Sequence, residues 1–238
     1  MTTLRAALFD LDGVLVDTQA EVVQLWRDVC GQHGRVLSAE EIRTSVVGCS
    51  AEHTVAQLFP GLDPLERDGL LAAVHKADSS LPVVPISGAA AFVRTLAAAA
   101  VPTVLVTGAS RERATEAVRA LGLDGCFAAL VAWGDVTRGK PHPDGYRLAA
   151  RLLDLGPSQT VVFEDSVVGV TAAVAAPAFC VGIGTAELAT HGARVVTSSL
   201  AAIEVAHPAG GGFVELRVGV ERLRLRAVPQ SNPTGEGS

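Results

Sequence analysis

Two aspartates, Asp10 and Asp12, end the first apolar run of the chain in LFDLDGVLVDT, residues 8–18. Aspartate is a poor strand residue and close like charges repel, so a pair at this place needs a chemical reason. In an extended segment the two point to the same side of the chain. Further along stand Thr107 and Gly108 in VTGAS, Lys140 in GKPHPD, and Glu164 with Asp165 in FEDS. Gathered in one place, four acids and one lysine leave an excess of negative charge. Buried acids cost several kcal/mol each unless paired or bound to metal. A divalent cation would balance them, and an all-oxygen ligand set favours Mg2+ over zinc. Mg2+, a lysine, a hydroxyl and helix N-terminal amides together suit a phosphate. A spare carboxylate can attack phosphorus and form an aspartyl-phosphate. Repulsion opposes that attack by about 4 kcal/mol for unit charges about 4 Å apart at an effective dielectric of about 20. Cations on the phosphoryl oxygens offset it and favour the spread-out charge of the transition state.

These groups can act together only if the chain brings them to one edge. Residues 4–9, LRAALF, predict a short buried strand that stops at Asp10. Further strands are predicted at 103–107, 128–132, 160–164 and 178–183, with a weak one at 193–196. Helices are expected between them over 88–100, 110–121, 143–154, 166–175 and near 185–191, with a last one over 198–206. Strand–helix alternation with buried strands implies an α/β fold, a three-layer Rossmann-like parallel sheet with right-handed crossovers. In such sheets ligands bind outside the carboxyl ends of the strands. Asp10, Thr107 and Glu164 stand at those ends, and Lys140 lies in the loop before one helix.

Residues 18–82 read differently. Val22, Val23, Leu25, Trp26 and Val29 share a helical face. Ser38 with Glu41 makes a capping box for a helix over 39–47, and Asp63, Pro64 and Glu66 open another. Pro82, Pro85 and Gly88 end the block. The expected organisation is therefore a catalytic core of residues 1–17 and 83–206 with an inserted all-helical cap, residues 18–82. Residues 207–238 form a C-terminal extension: a link, a period-two stretch (213–228) read as a long strand or a hairpin bent near Gly219, and a disordered tail.

The net charge of −6, with no basic stripe carrying interleaved aromatics, argues against nucleic acid. Arg222, Arg224 and Arg226 read as a solvated strand face. The four cysteines, Cys30, Cys49, Cys126 and Cys180, show no CxxC spacing and fit small buried hydrophobes in a reducing cytoplasm. No signal peptide is visible, because acids follow directly on the short apolar start. Residues 166–186 carry no charge, but Pro177, Gly182 and Gly184 break them into helix, turn and buried strand, so no membrane span is expected.

The segments DLDGVLVDT, VTGAS, GKPHPD and FEDS, in that order and on those elements, resemble the four motifs of the haloacid dehalogenase superfamily. The nearest branch resembles the β-phosphoglucomutase-like phosphatases with a helical cap, and the resemblance spans roughly residues 4–206. It implies that Asp10 is the nucleophile. Asp12 is then the general acid for the leaving alcohol and later the base for the hydrolytic water. Thr107 and the Gly108 amide hold phosphoryl oxygens, and Lys140 pairs with both nucleophile and phosphate. Mg2+ sits on Asp10, Glu164, Asp165 and the main-chain carbonyl of Asp12, and Thr18 marks the hinge into the cap. An acid two residues after the nucleophile suits an alcohol leaving group; dehalogenases, phosphonate hydrolases and ion-pumping ATPases carry other residues there.

The implied activity is a Mg2+-dependent phosphatase, with a phosphomutase as the alternative. A mutase of this branch needs a cap arginine for a distal phosphate, and Ala51 stands at that position; it also places a histidine where this chain has Val22. Both departures favour hydrolysis of a small monophosphorylated metabolite such as a sugar, polyol or cyclitol phosphate. A non-catalytic protein whose tail strand pairs with a partner is a third reading, opposed by the full set of catalytic groups. The number of chains in the assembly is left open. Ser110 and Ser166 read as helix N-caps, His142 as a loop residue, Trp133 as packing, and His53 and Lys76 as a solvated helix face.

Overall fold

The structure is a computed structural model that describes residues 2–207 and 212–227. Most of the expected link (208–211) and the tail expected to be disordered (229–238) lie outside the described residues.

The N-terminal run forms two strands rather than one. β1 (Thr2–Leu4) and β2 (Ala6–Phe9) are parted at Arg5, which is exposed and whose amide bonds Gln159 O at 2.7 Å. Four helical pieces follow: α1 (Gln19–Gln32), α2 (Ala39–Glu41) running on as one π-helical turn (Ile42–Val46), α3 (Ala51–Leu58) and α4 (Pro64–Asp78). The capping boxes Ser38–Glu41 and Asp63–Glu66 both form. Then come α5 (Ala89–Ala98), β3 (Thr103–Val106), α6 (Arg111–Ala120), β4 (Ala129–Val131), α7 (Asp144–Leu152), β5 (Thr160–Glu164), α8 (Val167–Ala175), β6 (Phe179–Ile183), α9 (Glu187–Thr190) and β7 (Val195–Thr197). The uncharged stretch 166–186 is thus helix, turn and strand. No helix among the described residues is long and apolar enough to cross a membrane.

β2 to β7 form a six-stranded parallel sheet in the order β4-β3-β2-β5-β6-β7. Phe9 pairs in register with Leu105 on one side and Phe163 on the other, so the segments after β2, β3 and β5 emerge side by side. The chain winds outward from β2 in one direction, then returns to build the other, and this reversal is where ligand crevices form in open α/β sheets. Alternate residues serve opposite faces: Ala7 and Phe9 pack with α5 and α6, and Leu8 with α7 and α8. Phe9 stacks on Phe163 at 4.9 Å and meets Phe92 edge-on.

Helices α1 to α4 have an apolar cluster of their own, including Trp26, Cys30, Val55, Leu58 and Val74. Two strand-like crossings join them to the sheet and bond each other, Asp17 N to Val84 O at 2.8 Å and Ile86 N to Leu15 O at 3.0 Å.

The helix expected over 198–206 is replaced by a short 3-10 turn and a strand, β8 (Glu204–Ala206). Ile203 and Val205 alternate with polar Glu204, a period that suits a strand. Of the two forms expected for this stretch, a long strand or a hairpin, β9 (Phe213–Val218) and β10 (Glu221–Arg226) make the hairpin, turning at Gly219. They join β8 and β1 in a second sheet, order β1-β10-β9-β8. Its apolar face (Val214, Leu216, Val218, Leu223, Leu225) closes the core beside Leu4 and Phe163, while Arg222 and Arg226 are exposed.

Candidate active site

Asp10 continues the β2 ladder, its amide bonding Phe163 O at 3.1 Å, and the residue is 3 % exposed. Lys140, carried over from the loop before α7, donates to Asp10 Oδ1 at 2.6 Å, to Glu164 Oε1 at 2.6 Å and to Val106 O at 3.3 Å. Glu164 ends β5 fully buried; Oε1 also accepts from Tyr146 Oη at 2.5 Å, and Oε2 from Ser166 Oγ at 3.1 Å. Asp165 follows, and one oxygen each of Asp10, Glu164 and Asp165 lie within 4.8 Å of one another. Gly13 lets this happen: it holds φ +76°, and a Cβ there would stand 1.9 Å from Asp165 Oδ2.

Burial pushes Asp10 up to about 7 despite the pull of Lys140, and the charges of Glu164 and Asp12 add to the rise. Asp165 is driven well above the ordinary carboxylate range by burial and by Asp10 and Glu164. Lys140 moves the other way: burial disfavours its charge, but Asp10 and Glu164 outweigh that and hold it protonated. One ammonium thus faces three crowded carboxylates, and this oxygen-only set fits a hard divalent cation such as Mg2+.

Thr107 and Gly108 follow β3. The Thr107 amide bonds Val131 O at 2.9 Å, and Thr107 Oγ accepts from Ala109 N at 3.0 Å, leaving its own proton free to donate. A Cβ on Gly108 would meet Cys49 O at 2.9 Å, so this loop touches the segment between the π turn and α3. Ser110 caps α6 and Ser166 caps α8, as the sequence implies.

Asp12 stands apart from the three-carboxylate cluster. Its oxygens accept from Arg113 and from Thr18 Oγ, and Thr18 is buried at the entry of α1. Arg113 also reaches Asp78 at 3.0 Å. Asp10, Asp12, Asp165, Thr107 and Gly108 open into one cavity whose far wall includes Val22, Trp26 and Val74. A second cavity begins at the same Thr107 and Gly108 and holds His53, Trp133, Lys140 and His142. Trp133 packs against the helical segment: it stacks on His75 of α4 at 3.8 Å, and His75 bonds Glu52 at 3.1 Å. Burial and His142 pull His53 below the usual imidazole range. Lys76 is exposed on its helix.

The structure therefore brings together every residue singled out at the strand ends. Three others were missed. Tyr146 reads as core because Ala149 and Ala150 share its face. Arg113 and Asp78 sit among ordinary helix charges in RERATEAVRA and VHKADSS. The one available signal was Arg113 falling one helical turn before Ala117, on the buried side of α6.

A family model, haloacid dehalogenase-like hydrolase, matches residues 4–177. The chain is 34% identical over 199 residues to validoxylamine A 7'-phosphate phosphatase of Streptomyces hygroscopicus subsp. limoneus, covering 82% of this chain and 91% of that one. It is 32% identical over 174 residues to hexitol phosphatase A of Escherichia coli (strain K12), covering 72% and 79%. In fold it is similar to a hydrolase from Pseudomonas syringae, with a TM-score of 0.74, 23% identity, and coverage of 83% and 94%.

Proposed function

The chain belongs to the haloacid dehalogenase-like hydrolase family and is a phosphoric monoester hydrolase, and we propose that it frees phosphate from a small sugar, polyol or cyclitol phosphate through an aspartyl-phosphate on Asp10. The observation that carries this is Asp10 at the end of the central strand, held by Lys140 at 2.6 Å beside Glu164 and Asp165.

In this reading Asp10 Oδ attacks phosphorus while the ester oxygen leaves opposite. Asp12 gives that oxygen a proton, then takes one from the water that hydrolyses the acyl phosphate. The Thr107 hydroxyl, the Gly108 amide and Lys140 hold the phosphoryl oxygens. Asp10, Glu164, Asp165 and the Asp12 carbonyl would hold Mg2+, which when bound neutralises charge on the phosphoryl group and on the crowded carboxylates. Residues 18–82, with helices α1 to α4, act as a cap over the site, with Thr18 at the hinge, and closure excludes bulk water from the acyl phosphate. Tyr146 and Ser166 fix Glu164. Four free thiols and the absence of a spanning helix among the described residues suit a cytoplasmic enzyme.

Hydrolysis is preferred over phosphomutase chemistry because Val22 and Ala51 both line the cavity over Asp10, and neither can bind a distal phosphate. The names of the two phosphatase relatives point to polyhydroxylated substrates. A panel of phosphorylated metabolites assayed for free phosphate tests this: turnover of hexitol or cyclitol phosphates is expected. Reaction with β-glucose 1-phosphate alone, yielding glucose 6-phosphate without free phosphate, would overturn it.

A further inference from the structure

Arg113 lies in the first turn of α6, and Asp78 is the last residue of α4. Each is on the wrong end of its helix. A cation near a helix N-terminus and an anion near a C-terminus both oppose the helix dipole. Both are also largely removed from water, with side chains 5% and 15% exposed. Their own helices thus do not explain them; their partners do. Arg113 Nη2 donates to Asp12 Oδ1 at 2.5 Å and to Thr18 Oγ at 3.1 Å, while Nη1 donates to Asp12 Oδ2 at 3.1 Å and to Asp78 Oδ1 at 3.0 Å. A guanidinium that meets both oxygens of a carboxylate fixes its plane as well as its position.

We propose that Arg113 is a positioning residue that aims the Asp12 carboxyl at the leaving oxygen, and that Asp78 sets Arg113 from the helical segment. The proposal rests on Asp12 as the proton donor. It also bears on the substrate. Arg113 is already shared by two carboxylates, so the three groups together carry no spare positive charge. They offer no clamp for a second phosphate, and the part of the substrate beyond the ester oxygen is uncharged or cationic.

The test is leaving-group dependence of kcat/KM, which reports phosphoryl transfer to Asp10. p-Nitrophenyl phosphate expels its phenolate without a proton; the leaving groups of phenyl phosphate and a hexitol 6-phosphate need one increasingly. Arg113→Met should lower kcat/KM about 100-fold on the hexitol phosphate, the scale of a positioned general acid, and only a few-fold on p-nitrophenyl phosphate. Arg113→Lys keeps the charge without the fork and should fall between, which covers a Met variant that does not fold. Asp78→Asn should show the same pattern more weakly, and adding it to Arg113→Met should cost nothing further. Equal losses on all three esters, or additive losses in the double variant, would overturn the inference. Asp12→Asn separates the two levels: if it discriminates among the esters while Arg113→Met does not, the positioning role fails and the proton donor stands. If Asp12→Asn does not discriminate, the donor assignment fails and the inference with it.

Discussion

The two sheets meet at one core yet treat charge in opposite ways. At the carboxyl edge of the parallel sheet, Asp10, Lys140 and Glu164 are 7% exposed or less, with two carboxylates on one ammonium. On the second sheet, Arg217, Arg222 and Arg226 stand on the outer face, and its ion pairs, Arg224–Glu215 and Arg217–Glu204, run across strands toward solvent. Exposed pairs of that kind contribute about 0–1 kcal/mol. Buried charge must instead be held by other groups or it opposes folding. The β1–β2 run passes through both environments within eight residues, Thr2–Phe9. The second sheet adds apolar area under the first, and the first carries an arrangement that lowers stability and is explained by chemistry.

The largest break in this contrast is at Asp10. Asp10→Ala should cut turnover of an aryl phosphate by about 10^5-fold or more, the scale of losing a covalent nucleophile; near-normal turnover would refute the site. Asp10→Asn should lose activity as severely, yet melt later than wild type at pH 8 in EDTA, because it removes one of the crowded carboxylates. Lys140→Met does the reverse. It leaves Asp10 and Glu164 without their ammonium, and urea unfolding at pH 8 should show a loss of about 3–5 kcal/mol, partly restored by Mg2+. In the second sheet, Leu216→Ala removes a fully buried side chain and should cost about 2–5 kcal/mol. Its kcat at a temperature where it stays folded should remain within about twofold of wild type, since nothing at the catalytic edge is touched.

Legibility in the sequence divides along the same line. Acids placed after apolar runs announce Asp10, Glu164 and Asp165, because nothing in strand physics asks for them. The order of the strands then makes their meeting unavoidable, since β2 lies between β3 and β5. Arg113 left no such trace. Its partners are 101 and 35 residues away in the chain, and a long-range ion pair has no local period. Tyr146 was hidden by its own suitability for the core, since only the hydroxyl on Glu164 distinguishes it from a packed aromatic. The last expected helix failed because Ile203–Ala206 is too short for period two to be told from a helical face, and its strand exists only by pairing with β9. The departure of β1 has the same cause: β10, more than two hundred residues later, supplies its ladder.

Proton linkage sharpens the comparison further. Asp10 titrates near 7 in the folded chain and near 3.8 when unfolded. Between those values the native state holds a proton that the unfolded state has released, so this group's contribution is full below about 3.8 and is lost as pH rises through 7. Asp165 adds to the same trend. The metal-free protein should therefore melt higher at pH 5.5 than at pH 8, and Mg2+ should raise the melting temperature more at pH 8. A Mg2+ shift that is equal or larger at pH 5.5 would mean that these carboxylates are not the cation's ligands.

The smallest effect is expected on the outer face of the second sheet. Arg224 lies directly opposite Glu215, 2.7 Å from its carboxylate, and its guanidinium sits 5.3 Å from the Phe213 ring. Geometry alone would rank this pair beside Lys140–Asp10, which has nearly the same separation. Its environment ranks it far lower, because water already solvates both partners and the chain gains little by joining them. Arg224→Ala should cost no more than about 1 kcal/mol, less at high salt as the pair is screened, with no change in Mg2+ response or turnover. A loss comparable to that of Lys140→Met would show that the hairpin, too, depends on charge, and would remove the distinction between a sheet that supports the core and a sheet edge shaped by its chemistry.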